Sequence, residues 1–229
     1  MFLREVDDAL RQDEMHSAFR RWGKLAVLGV VVLLAGLGGY LFWQQHNHQS
    51  AAKQGEQFTI ALDDVEAGKL GDGATKLKAL VGESDDGTKT AAQLLQAGIA
   101  IQQGKPADAI KLFEAVAADA SAPQPYRDLA AIRAVATNFD AMKPEDVVAR
   151  LKPLAEPGKP WFGSAGELVG LAYLKQGKNN LAGPLFAAIS RDKQAPETLR
   201  ARTRQMAGLL GVDAIDDVAR AAGTQPGQN

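Results

Sequence analysis

The sequence predicts an all-helical protein in which one membrane-crossing helix precedes an array of helix pairs. Three observations predict this class. Residues 25–43 form an apolar run without a charge. After residue 50, apolar residues recur at spacings of three and four, without the alternation typical of strands. Short breaks containing Gly, Lys or Pro interrupt this pattern about every 36 residues, which indicates stacked helix pairs.

The first elements are a charged arm, residues 1–24, and the apolar run, residues 25–43. As a helix rising about 1.5 Å per residue, the run is roughly 29 Å long, close to the roughly 30 Å hydrocarbon thickness of a bilayer. Five Lys or Arg residues precede it, whereas only Lys53 follows within a comparable distance. This asymmetry predicts a cytoplasmic N-terminus. A cleaved secretory signal is the competing interpretation, but the run is long for a signal peptide.

The arm has two interpretations that the sequence supports equally, a contact with cytoplasmic headgroups or a contact with a cytoplasmic partner.

The predicted organisation has five segments. They are a cytoplasmic arm (1–24), a transmembrane helix (25–43), a juxtamembrane linker (44–50), a periplasmic repeat domain (51–210) and a C-terminal tail (211–229), of which we expect residues 223–229 to be disordered.

Composition excludes several classes of function. The net charge of −1 gives no basic field for nucleic acid. The chain has no cysteine, and its three histidines are His16, His46 and His48. The repeat domain therefore has no thiol, no histidine base and no His or Cys metal site. We predict a binding protein without catalytic, cofactor or metal residues; an enzyme using a carboxylate or a lysine is the remaining enzymatic alternative.

The periodicity predicts four helix pairs and a last helix. Pro106, Pro144 and Pro160 stand at predicted helix starts, where the missing N–H of proline is tolerated. The predicted pairs are 50–67 with 72–82, 88–103 with 106–119, 124–140 with 144–155, and 161–176 with 179–190, followed by a capping helix at about 196–210.

Two segments carry the same order of small, turn-forming and aromatic residues, 73 residues apart. The motif residues are Ala97, Gly104, Ala109 and Phe113 in the first segment and Gly170, Tyr173, Gly177, Ala182 and Phe186 in the second. Their spacing resembles that of the tetratricopeptide repeat. Small residues let two helices cross closely, glycine turns the chain, and phenylalanine fills the gap between pairs. We expect a right-handed α-solenoid of about four degenerate pairs with a C-terminal capping helix.

The complete layout resembles a bacterial family, the ancillary SecYEG translocon subunits (YfgM type). The resemblance rests on the short arm, on Gly23-Lys24 before an apolar run that ends in the residues Tyr-Leu-Phe-Trp at 40–43, and on residues 158–178 of the fourth pair. It implies an inner-membrane protein whose periplasmic domain associates with the SecYEG translocon and with periplasmic chaperones. An envelope-assembly scaffold without translocon contact would have the same layout, and only the partner distinguishes the two.

Three residues are candidates for contacts with a partner. Arg127 and Arg133 lie on the predicted first helix of the third pair, whose equivalents line the concave groove of such repeats. Solvation explains both arginines equally well. Trp161 opens the fourth pair, where it either anchors a partner peptide or packs against the third pair; packing is the favoured interpretation.

Overall fold

The computed structural model describes the backbone of residues 2–83 and 86–212 and most side chains from residue 28 onward. Residues 213–229 of the predicted tail lie outside the described residues. The described backbone is helical and contains no strand, which confirms the predicted all-helical class. The chain divides into two compact units, Met1–Lys53 and Gln54–Asn229.

Nine α-helices and one 3₁₀ turn make up the described backbone. The α-helices are α1 (Phe2–Glu66), α2 (Leu70–Glu83), α3 (Asp86–Gln102), α4 (Pro106–Ala118), α5 (Gln124–Asn138), α6 (Pro144–Leu151), α7 (Phe162–Lys175), α8 (Asn179–Arg191) and α9 (Glu197–Leu209), and the 3₁₀ turn is Lys152–Leu154. Apart from α1, these helices begin and end within a few residues of the predicted bounds.

In the first unit, the large apolar side chains of α1 that are described between residues 28 and 43 are exposed around the whole helix. Phe42, for example, exposes 75% of its surface. Among the described residues, no helix is long and apolar enough to cross a membrane. The predicted span also includes residues 25–27 and Val30, whose side chains lie outside the described ones.

Helix α1 continues through residues 44–50, which the sequence analysis assigned to a linker. Residues 44–66 contain no proline, so no residue there removes a backbone donor from the helix. The C-terminal part of α1 belongs to the second unit, where Ala61 packs against Leu77 of α2 and Ala92 of α3. It therefore serves as the first helix of the first pair.

The turns inside the second and fourth pairs are built alike. Gly104 and Gly177 have φ angles of +72° and +70°, in the left-handed region that side chains disfavour. The Gly177 N–H donates to the Leu174 carbonyl at 2.9 Å, and the Gly104 N–H donates to the Ile101 carbonyl at the same distance. These bonds satisfy carbonyls that the ending helix leaves without a partner. Both predicted turn glycines thus reverse the chain between the two helices of a pair.

The core of the second unit is divided among clusters between successive helices. Phe113 of α4 packs with Ala97 and Ala109 of its own pair and with Ala134 of α5. This arrangement links each helix pair to the next one, as in other repeat proteins. Burial of one such phenylalanine stabilises the fold by about 1.5–3 kcal/mol.

The fourth pair has the corresponding cluster. Phe186 of α8 packs with Ala182 and with Ala207 of α9, and Tyr173 of α7 lies half-buried against the same cluster. Gly170 is buried opposite the Phe186 ring, and a Cβ atom placed on it would lie 2.6 Å from two ring carbons. The two helices of this pair therefore cross at a point where no side chain fits.

We predict that Gly170→Ala destabilises the protein, whereas Gly98→Ala stabilises it. Gly98 is also helical, but a Cβ there would meet no atom within 4 Å. Alanine is favoured over glycine by about 1 kcal/mol in a helix. At Gly170 this gain is outweighed, because overpacking costs about 1–3 kcal/mol. Urea unfolding of the full chain in mild detergent, followed by circular dichroism, measures both. Equal stabilisation by the two substitutions would contradict the close crossing.

Candidate binding groove

An open groove of about 370 Å³ lies on three helices of the second unit. Its walls come from α5, α7 and α9, which are the first helices of the third and fourth pairs and the last described helix. The lining includes Leu129, Ile132, Arg133 and Ala136 near α5, Trp161, Ser164, Glu167 and Leu168 near α7, and Pro196, Thr198, Leu199 and Arg202 near α9. Helices α6 and α8 contribute none of the lining residues.

The helical periodicity of α7 explains why this helix faces the groove. Ala165 and Val169 are buried against Ile132 of α5, so one face of α7 is fixed against the third pair. Ser164, Glu167 and Leu168 lie on another face of α7, and this face lines the groove. Ser164 is exposed there, and Glu167 is half-buried.

Trp161 immediately precedes α7 and has two kinds of contact. It packs against the cluster that contains Ile132 and Val147, and it also lines the groove. Its side chain is half-buried. Trp161 thus packs as the favoured interpretation expects, and the part of its surface that stays open lines the groove.

An ion pair joins two walls of the groove. Arg202 of α9 donates from Nη2 to Oε2 of Glu167 on α7 at 2.9 Å, and from Nε to Oε1 of the same carboxylate. Glu167 exposes 21% of its side chain and Arg202 56%. The hydrogen bonds to Glu167 raise the pKa of Arg202 although partial burial opposes this. Both carboxylate oxygens of Glu167 thus accept a hydrogen bond from Arg202. The two opposite charges cancel, so the pair has no net charge.

The two predicted arginines lie in different surroundings. Arg133 lines the groove and is exposed, and its guanidinium forms no ion pair or hydrogen bond with any residue that the structure describes. Arg127 is not among the lining residues. It is partly buried in the first turn of α5 and donates a hydrogen bond to Gln124.

Glu167 and Arg202 were not among the residues predicted to contact a partner. Their signal is the separation of 35 residues, close to the repeat period, between side chains of opposite charge. The same relation joins Lys175 to Asp140 at 2.9 Å, again 35 residues apart. In both contacts, the two oppositely charged residues are about one repeat period apart, so they occupy equivalent positions in neighbouring repeats. This spacing could have marked both contacts in advance.

The groove offers binding chemistry. Its walls combine apolar and aromatic side chains with a few charged groups, a composition typical of recognition sites. Among the described residues, no group of three His, Cys, Asp or Glu side chains is placed to hold a metal ion. The groove thus has a surface that is partly apolar and partly polar. One of its cations, Arg133, has no counter-charge among the described residues.

Comparison with known proteins gives the family. The model of the "Tetratricopeptide repeat-like domain" matches residues 17–203, which include the predicted span, α2 to α8 and the first half of α9. No curated protein and no solved structure matches the chain. The family match confirms the predicted tetratricopeptide-like repeats and covers well over half of the 229 residues. The chain therefore belongs to the tetratricopeptide repeat-like domain family.

Proposed function

We propose that the protein is a membrane-anchored adaptor whose groove on α5, α7 and α9 binds a segment of a partner protein. The family implies protein partners in general, and its all-helical repeats are typical of adaptors without catalysis. The observation that carries the proposal is the groove itself. It lies on the first helices of consecutive pairs and combines Trp161 with exposed polar side chains.

The size of the groove favours an extended segment of a partner. About 370 Å³ accommodates a few side chains and is too small for a folded domain. The groove is open rather than enclosed, so a ligand longer than the groove can extend beyond it. Aromatic side chains such as Trp161 commonly contribute much of the energy in such contacts.

The membrane anchor in this proposal is residues 25–43. Three facts support it: the run has no charge, it has the length of a bilayer crossing, and its described side chains form an apolar surface around the whole helix. The family match also begins at residue 17, so it includes the run together with the repeats. The lysine and arginine asymmetry favours a cytoplasmic arm and a periplasmic repeat domain in the bacterial inner membrane.

The proposed partners are the SecYEG translocon and periplasmic chaperones. Support for them comes from the resemblance to ancillary translocon subunits, which extends over the arm, the run and the repeats. An adaptor tethered beside the translocon meets emerging chains at a high local concentration, so that weak contacts in the groove suffice. Envelope-assembly factors are the alternative partners, and photo-crosslinking from the groove separates the two groups.

We predict that a photo-crosslinking amino acid at Ser164 or Ala136 traps partner proteins in living cells. Both residues are exposed and line the groove. Lys111 is the matched control, because it is exposed on α4 and does not line the groove. Mass spectrometry of the purified adducts identifies the trapped proteins, which we expect to be translocon subunits, periplasmic chaperones or exported chains.

Two outcomes would contradict parts of this proposal. Equal trapping from Lys111 and from Ser164 would show that the groove is not the binding surface. Trapping of cell-wall or outer-membrane assembly factors from the groove would support the adaptor function but contradict the proposed association with the translocon.

A second prediction concerns the anchor. The double substitution Leu33→Arg with Leu37→Arg releases the protein from membranes washed with alkaline carbonate, because each charge near the bilayer centre costs about 2.5–3.5 kcal/mol. Gln44→Arg, a control just beyond the apolar run, leaves the protein in the membrane fraction. Complete extraction of the unsubstituted protein would reject the membrane anchor.

A further inference from the structure

We infer that the partner segment bound in the groove carries an acidic side chain, whose carboxylate pairs with Arg133, close to an apolar side chain that packs on Trp161. This inference rests on the proposed function and specifies the chemistry of its ligand. It concerns an aspartate or glutamate within an extended protein segment, not a free chain terminus.

Three charged side chains line the groove: Arg133, Glu167 and Arg202. Arg202 occupies both oxygens of Glu167, so these two charges compensate each other. Arg133 has no ion pair with a described residue, and the groove therefore has one uncompensated positive charge. Charge complementarity selects a ligand with a negative charge.

The position of Arg133 makes a carboxylate a suitable partner. A guanidinium presents paired N–H donors that match the two oxygens of a carboxylate. Arg133 lies on α5 one helical turn from both Leu129 and Ala136, which also line the groove. A ligand whose carboxylate reaches Arg133 therefore meets an apolar wall beside the charge.

The apolar part of the ligand has its own surface. Leu168 and Trp161 line the groove from the side of α7, and both are half-buried, so each leaves part of its surface open. Covering this apolar surface contributes about 25 cal/mol per Å². The ligand is thus recognised by two adjacent features, an acidic group at α5 and an apolar group at α7.

The test selects peptides from a display library on the full chain in mild detergent. Each twelve-residue random segment is flanked on both sides by fixed sequence, so that no free carboxyl terminus is offered. We expect selected sequences to be enriched in Asp or Glu next to Leu, Ile, Phe or Val. The selected peptides, resynthesised with blocked ends and a fluorescent label, are then titrated by anisotropy.

Four variants resolve the role of Arg133. Arg133→Gln weakens binding of the acidic peptides about tenfold, the loss expected for one charge-assisted contact. Arg133→Lys restores part of the affinity because the positive charge returns. Glu167→Gln strengthens binding, since Arg202 then adds a second uncompensated charge. Arg204→Gln, the control, leaves binding unchanged, because Arg204 is exposed on α9 but does not line the groove.

The outcomes distinguish the inference from the function on which it rests. Peptides that require Trp161 but show no acidic preference, or that require Trp161 but bind Arg133→Gln as well as the unsubstituted protein, would overturn the pairing of an acidic side chain with Arg133 and leave the groove function intact. Peptides whose binding is unaffected by both Arg133→Gln and Trp161→Ala bind elsewhere, which would overturn both. Loss with Arg133→Gln, with binding retained in Arg204→Gln, supports the inference.

Discussion

The close crossing of helices at small residues is the constraint on which the rest of the repeat domain depends. At Gly170 the backbone of α7 lies so near the Phe186 ring that no side chain fits between them. Ala97 and Ala109 share a cluster with Phe113 in the second pair. These contacts fix the spacing within a pair, and each phenylalanine also reaches the next helix. The contacts within a pair and the contacts to the next helix thus share the same phenylalanines.

This arrangement explains why a groove forms without a dedicated loop or domain. When pairs stack in register, their first helices lie side by side, and side chains at equivalent positions meet across neighbouring helices. The Glu167 and Arg202 pair shows this relation, because it joins α7 to α9 across one repeat period. The pair leaves Arg133 as the cation of the groove that has no described counter-charge. Stacking thus determines both the shape of the groove and its charge.

Much of the repeat architecture could be predicted because its signals are local. Pro106 and Pro144 begin helices α4 and α6, and Gly177 turns the chain where the pattern breaks. Trp161 was identified from its place at the start of a pair. Glu167 was missed because its pairing with Arg202 joins two helices, which the periodicity within one helix does not show; only the 35-residue spacing, close to the repeat period, relates the two positions. Similarly, nothing in the apolar run signals that α1 continues through residues 44–50 as one helix.

The proposed binding surface consists of α5, α7 and α9 together. Hydrogen–deuterium exchange of the full chain tests it most directly, with and without a partner segment recovered by crosslinking. Amide exchange slows where binding suppresses local opening of a helix. We expect the added protection to be concentrated in residues 124–138, 161–175 and 197–209. Protection concentrated instead in α4, α6 and α8 would contradict it, because those helices do not line the groove.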